Sequence, residues 1–336
     1  GRYQINIKNY AVGESISKTR NSVIYSVEDI KTHAKYAAKM VSYTKEDDEM
    51  KKMINREIGI MAYLQHPTII KFYGYSLKDF EGNDRVVILM DLAIKGSLGK
   101  ILGDVKKSIV DHYYDNTARQ IILAGIARGM MLLHQLRIIH RDLKPDNVLI
   151  DENFHPHITD FGLSKQYQTD DPLDQSKICG TTMYMAPEVI IGREYGIKSD
   201  VYSFGILMYE ILTDCYPYPA LLDKKMMEHE FNKKVIENNY RPEFTVPVKE
   251  SLKRLTESCW SASPDDRPSF EEIFYKLAYN SEMENFDVFD QMSSSKSYFH
   301  DYYLDDIDQD AFSTYVEEIS VIDPRENSSS SKPDSK

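Results

Sequence analysis

The chain has 336 residues, 42% of them hydrophobic and 28% charged, with a formal net charge of −12. It is long enough for one or two globular domains, and its acidic balance argues against a nucleic-acid binder. Three widely spaced cysteines, Cys179, Cys215 and Cys259, exclude a disulfide framework or a zinc site and point to a reducing, cytoplasmic setting. No apolar run is long enough to span a bilayer, since Ile121 to Leu136 is interrupted by Arg128 and reads as a buried helix. The chain opens on Gly1 without a secretory signal, as a fragment would. No internal repeat is found.

In chain order, residues up to about 90 read as strand-rich with one helix. Val23–Val27 and Tyr36–Val41 are β-type runs. Between Thr44 and Leu64, Met50, Met53, Ile54, Glu57, Ile58 and Met61 recur at three and four, predicting a helix that His66-Pro67 ends. Ile69–Leu77 and Val86–Met90 predict two more strands, split by a turn at Glu81–Asp84. Gly96, Gly99 and Gly103 read as turn residues. His112–Gln135 predicts a long buried helix, Asp200 begins an apolar helix reaching Leu212, residues 221–240 form a charged helix, and Phe270–Tyr279 closes the folded region.

Between the long helix and the apolar one lies His140-Arg141-Asp142-Leu143-Lys144-Pro145-Asp146-Asn147, followed by Asp160-Phe161-Gly162. Here a carboxylate that can take a hydroxyl proton, a cation for phosphate oxygens, and Asn and Asp oxygens for Mg²⁺ come close in sequence. These are the parts phosphoryl transfer needs. Val148–Ile150 and Ile158-Thr159 would be the strands that hang the loop.

These motifs, continued by Ala186-Pro187-Glu188 in order and at family spacing, resemble the eukaryotic protein kinases. The resemblance implies an α+β, bilobal fold. It comprises residues 1–9 as an extension, a β-rich N-lobe with one main helix over about 10–90, and a mostly helical C-lobe over about 94–280. It also implies transfer of the γ-phosphoryl of MgATP to Ser/Thr hydroxyls of protein substrates. Asp142 would be the general base and Lys144 would stabilise the transferring phosphoryl. Asn147 and Asp160 would hold Mg²⁺, and Lys39, paired with Glu57, would reach the α- and β-phosphates. Gly13, Ile24, Ala37, Met90, Asp91, Ala93 and Leu149 would line the nucleotide pocket, with Met90 at its rear and the backbone of Asp91 and Ala93 on the adenine edge. His140, Phe161, Met61 and Phe72 would stack as a spine. Arg141 would meet a phosphorylated activation segment between Leu163 and Glu188, where Tyr167, Thr169, Ser176, Thr181 and Thr182 are candidate acceptors, led by Ser176 and Thr182. Glu188 would pair with Arg267, and Asp200 would brace the catalytic loop.

One motif departs from the pattern. Where the family has Gly-x-Gly-x-x-Gly, this chain reads Gly13-Glu14-Ser15-Ile16-Ser17-Lys18, which loosens the phosphate cradle. A pseudokinase scaffold is therefore the rival reading. Lys144-Pro145 and Thr181 favour Ser/Thr specificity. Lys198–Gly205 and Cys259-Trp260 through Arg267-Pro268-Ser269-Phe270 are similar to tyrosine kinases. That mixture resembles the tyrosine-kinase-like group and keeps dual specificity open.

Residues 281–336 read as an acidic, Ser-rich, disordered tail, with fourteen acidic and four basic residues. Its aromatic residues stand against that reading, and Phe312–Ile322 could form an amphipathic docking segment, on this domain or on a partner.

Overall fold

The computed structural model describes residues 2–19, 21–42, 47–109, 113–166, 180–193, 195–279 and 302–320. Its N-terminal lobe is a five-stranded antiparallel sheet, ordered β1-β2-β3-β5-β4. The strands are β1 Tyr10–Lys18, β2 Ser22–Asp29, β3 Lys35–Val41, β4 Phe72–Lys78 and β5 Asp84–Asp91. After β3 comes α1, Asp48–Tyr63, whose N-cap Asp47 accepts the Met50 N–H at 2.9 Å. Spacings of three and four place Ile54, Glu57 and Met61 on its buried face.

The C-terminal lobe is mostly helical: α2 Leu98–Lys106, α3 Asn116–Gln135, α4 Pro187–Ile190, α5 Ile197–Thr213, α6 Pro219–Leu222, α7 Glu228–Glu237, α8 Glu250–Cys259, α9 Phe270–Ala278 and α10 Gln309–Ser320. Short strands punctuate it: β6 Gly96–Ser97, β7 Ile138–Ile139, β8 Val148–Ile150, β9 Pro156–Ile158 and β10 Lys165–Gln166. The α+β, two-lobed architecture is therefore as anticipated. One apolar core joins the lobes, running from Ala37 and Met61 through Phe161 to Phe204 and Leu277. Among the described residues no helix is long and apolar enough to cross a membrane.

Several local expectations change. Strand β1 carried no strand signal because it lies on the sheet edge and is exposed along nearly its whole length. With neither face buried, no alternation develops. Gly99 and Gly103 are not turn residues but lie within α2. A Cβ on Gly99 would fall 2.4 Å from Asp146 Oδ1, so its absence lets α2 rest directly on the 145–147 turn. Helix α3 starts at Asn116 rather than His112, because Asp115 caps it by accepting the Ala118 N–H at 2.9 Å. The acidic tail is not uniformly without structure: residues 302–320 pack on the C-lobe, and α10 buries Phe312, Tyr315, Val316 and Ile319 against α3. Its aromatic and aliphatic spacing outweighs its acidity, because the charges fall on the other face.

Candidate active site

The loop between β7 and β8 is held from below by Asp200, a buried side chain in the first turn of α5. One oxygen accepts the His140 N–H at 2.8 Å and the other the Arg141 N–H at 2.9 Å. His134 Nε2 lies 3.0 Å from Asp200 Oδ2. Burial pushes the Asp200 carboxyl upward, but these bonds and the nearby imidazoles outweigh it and hold it below the usual carboxylate range. The bracing has a geometric purpose, because Arg141 sits at φ 72°, in the left-handed region. Buried Leu143 and the turn Pro145–Asn147 complete the loop.

Within it, Asp142 gathers several contacts. Lys144 Nζ donates to Oδ2 at 2.7 Å, and Asn147 Nδ2 donates to the same oxygen at 2.9 Å and to the Asp142 carbonyl at 2.7 Å. Thr181 gives Oδ1 its backbone N–H at 3.1 Å, with its hydroxyl 3.3 Å away. Lys144 Nζ also reaches Thr181 Oγ1 at 2.8 Å. The carboxylate is thus fixed in orientation by a lysine, an amide and the far end of the activation segment.

The second cluster bridges the lobes. Lys39 on β3 places Nζ 2.6 Å from Glu57 Oε1 and 3.2 Å from Asp160 Oδ1. Burial works against the ammonium, but the two carboxylates outweigh it and hold its pKa above the ordinary lysine range. Asp160 also has a positive φ, 63°, and is partly exposed. Phe161 is fully buried behind it, edge-on to His140 with centroids 5.5 Å apart. Met61 and Phe72 belong to the same core.

Strand register and core packing place some of the sequence-derived pocket residues. Ile24 pairs in register with Lys39, and Ala37 with Met90. Ile24 and Leu149, from opposite lobes, pack on the same core as Ala37 and Met90. Asp91 Oδ1 accepts the Tyr73 hydroxyl at 2.7 Å, and the Asp91 N–H donates to the Lys71 carbonyl at 3.0 Å. The Ala93 carbonyl accepts from Gly96 N at 3.1 Å. Gly13 lies in β1, where a Cβ would come within 3.0 Å of the Ser26 carbonyl. Its lack of a side chain serves close approach of β1 to β2. Register irregularities flank Ser15.

The oxygen chemistry suits a hard cation. Asn147 commits its amide hydrogens to Asp142, leaving its Oδ1 as the group for an ion, and Asp160 supplies a carboxylate. Among the described residues there is no group of three or more His, Cys, Asp or Glu side chains that could hold a metal ion. Such a pair fits Mg²⁺, which is usually bound by one or two carboxylates together with substrate phosphates.

Glu188 and Arg267 form a fork: Nη1 to Oε1 at 2.7 Å and Nη2 to Oε2 at 2.9 Å, with the Arg267 side chain wholly buried. The Arg141 guanidinium stands 4.7 Å from the Tyr195 ring centroid. Tyr167, Thr169 and Ser176 lie outside the described residues. The Thr182 hydroxyl donates to Glu228 at 2.6 Å. Sequence reasoning missed His134, which carries no motif and is recognisable only once α3 is packed against α5.

Residues 10–277 match the family model described as Protein kinase domain. The chain is 37% identical over 225 residues to the dual specificity protein kinase shkC of Dictyostelium discoideum, covering 66% of this chain and 42% of that protein. It is 32% identical over 242 residues to serine/threonine-protein kinase 12 of Arabidopsis thaliana, covering 69% and 48% respectively. A third relative, the Arabidopsis cysteine-rich receptor-like protein kinase 28, is 40% identical over 163 residues, or 47% of this chain and 23% of that protein. The chain thus spans less than half the length of each of these curated relatives, and it belongs to the protein kinase family, whose members use ATP and Mg²⁺.

Proposed function

We propose that this protein is a serine/threonine kinase that moves the γ-phosphoryl of MgATP onto hydroxyls of protein substrates. The observation that carries this reading is the double engagement of Lys39, by Glu57 and by Asp160, at the same time as the Asp142–Lys144–Asn147–Thr181 network is closed. In kinases these parts must be in place together.

The roles follow from position and chemistry. Lys39, aligned by Glu57, contacts the α- and β-phosphates. Asp160 and Asn147 hold Mg²⁺, which when bound supplies positive charge to the phosphate oxygens. Asp142 orients the acceptor hydroxyl and takes its proton as oxygen bonds to the γ-phosphorus and the bond to ADP breaks. Lys144 offsets charge on the transferring group. Gly13, Ile24, Ala37, Met90, Leu149 and the backbone at Asp91 and Ala93 enclose the nucleotide. Thr181, bonded to both Asp142 and Lys144, supports Ser/Thr acceptors. The relative named as dual specificity keeps Tyr acceptors as a second reading.

The test is incorporation from [γ-³²P]ATP into a basic protein and into the chain itself, with phosphoamino-acid analysis. Phosphoserine and phosphothreonine, lost in Asp142→Asn, are expected. No incorporation together with no Mg²⁺-dependent nucleotide binding by calorimetry would leave a scaffold with this fold.

A further inference from the structure

Residues 302–320 bind the catalytic domain through more than apolar packing. Gln120, fully buried in α3, ties them to α9: Nε2 donates to the Leu277 carbonyl at 2.9 Å and to the Tyr302 carbonyl at 3.4 Å, while Oε1 accepts the Leu304 N–H at 3.1 Å. The Asp305 carbonyl accepts from Asn116 Nδ2 at 3.0 Å, and Asp308 N donates to Thr117 Oγ1 at 2.9 Å. Lys249 Nζ donates to the Tyr303 carbonyl at 2.8 Å. Gln120 is therefore a buried polar group with partners from beyond residue 277, and leaving such a group unmatched is unfavourable.

The far end of α10 reaches the loop after α1. His66 Nδ1 accepts the Thr68 N–H at 3.2 Å, so the ring proton sits on Nε2 and is donated to the Ile319 carbonyl at 3.1 Å. Thr68 in turn accepts the Ile158 N–H at 2.8 Å, and Ile70 N donates to the Ile158 carbonyl at 3.0 Å. One turn earlier, Tyr315 stacks on His155 at 4.5 Å. A Cβ on Gly125 would lie 2.1 Å from the Tyr315 hydroxyl and 2.5 Å from Pro156. Both contacts converge on β9, two residues ahead of Asp160.

We propose that residues 302–320 are an intramolecular strap that positions β9 and the 66–70 loop, and through them Asp160 and Glu57. The occupant is this chain itself. The Tyr303 hydroxyl donates to the Ala278 carbonyl at 2.8 Å, so the segment re-enters beside the residue where the domain ends. Tethering at that distance favours closure in cis over capture of a second copy. His66 is a positioning residue, acting on the site through Thr68 and Ile158.

The activity readout rests on the kinase reading, so the test pairs it with one that needs no catalysis. The full chain carrying Phe312→Glu and Ile319→Glu is compared with the unaltered chain by hydrogen exchange, ATP kinetics and size-exclusion chromatography. Exchange should accelerate in 309–320, at 66–70 and at 156–160. The KM for ATP should rise about 5–10-fold with kcat changed less than about twofold, as loss of a ground-state alignment predicts. A synthetic 302–320 peptide should reverse both effects. His66→Asn should reproduce the 66–70 change with α10 still docked. The inference is overturned if α10 releases while 66–70, 156–160 and KM stay unchanged. It is equally overturned if activity rises on release, or if the unaltered chain is a dimer that the substitutions dissociate. Absent phosphorylation with the exchange pattern intact would count against the kinase reading alone.

Discussion

Lys39 Nζ and Glu57 Oε1 lie 2.6 Å apart, one on strand β3 and the other on helix α1, with both side chains largely out of solvent. The pair ties the position of α1 to the proposed nucleotide pocket. Glu57→Gln should lower kcat/KM for ATP by about 10–10²-fold. That corresponds to the ~1.5–3 kcal/mol of a hydrogen bond to a charged group. Lys39 retains Asp160 as a partner, so the loss should be smaller than for Lys39→Met. Steady-state kinetics on the two variants checks the order.

Asp142 and Thr181 should separate chemistry from binding. Asp142→Asn removes the proposed proton acceptor and should reduce kcat about 10²–10⁴-fold. Its nucleotide affinity by calorimetry should stay close to that of the unaltered chain. Thr181→Val keeps the backbone N–H to Asp142 but deletes the hydroxyl between Asp142 and Lys144. Both partners of that hydroxyl are charged, and a hydrogen bond to a charged group contributes about 1.5–3 kcal/mol, so kcat should fall by about 10–10²-fold. Equal losses in the two variants would argue that Thr181 does more than orient the carboxylate.

The Glu188–Arg267 fork is structural. Arg267 also donates to the Ser261 and Lys198 carbonyls, both at 2.9 Å, and its guanidinium stands over the Tyr202 ring. Removing one partner leaves a buried charge, at about 3–5 kcal/mol. At roughly 2–4 °C per kcal/mol for a domain near this size, Arg267→Ala should lower Tm by on the order of 10 °C. Arg267→Lys should recover little, because an ammonium cannot make the two-pronged contact. Thermal unfolding with an unchanged KM for ATP in the surviving fraction would confirm that the pair stabilises rather than reacts.

Acid should loosen the tail. Burial, aided by the charge of Arg128, pushes His66 down from 6.5 to about 4, although the Ile319 carbonyl pulls the other way. A depressed imidazole pKa means that the folded state prefers the neutral ring. Its contribution is complete above pH 6.5 and is lost as pH falls toward 4. Over that window the shift amounts to about 3 kcal/mol. Protonation would place a hydrogen on Nδ1, facing the Thr68 N–H. Protection of residues 309–320 against hydrogen exchange, taken relative to the intrinsic amide rate at each pH, should therefore fall between pH 7 and pH 4.5, and His66→Asn should flatten that dependence.

The sequence by itself determined the family. His140–Asn147, Asp160–Gly162 and Ala186–Glu188 are each contiguous, so their spacing alone announces the family, and the periodicity of α1 follows from its buried face, whereas α3 and α5 are apolar runs buried nearly all round. Contacts far apart along the chain were decided by tertiary structure. That Lys39 meets Asp160 as well as Glu57, and that His134 lies against Asp200, depends on packing across 121 and 66 positions. Gly99 and Gly125 read as turn and core residues in the sequence. Only the folded chain shows what each makes room for, Asp146 in one case and Tyr315 in the other. The tail shows the same division. Acidity and serine content are local properties and predicted disorder, whereas the α3 surface that accepts Phe312 and Tyr315 exists only after the domain has folded.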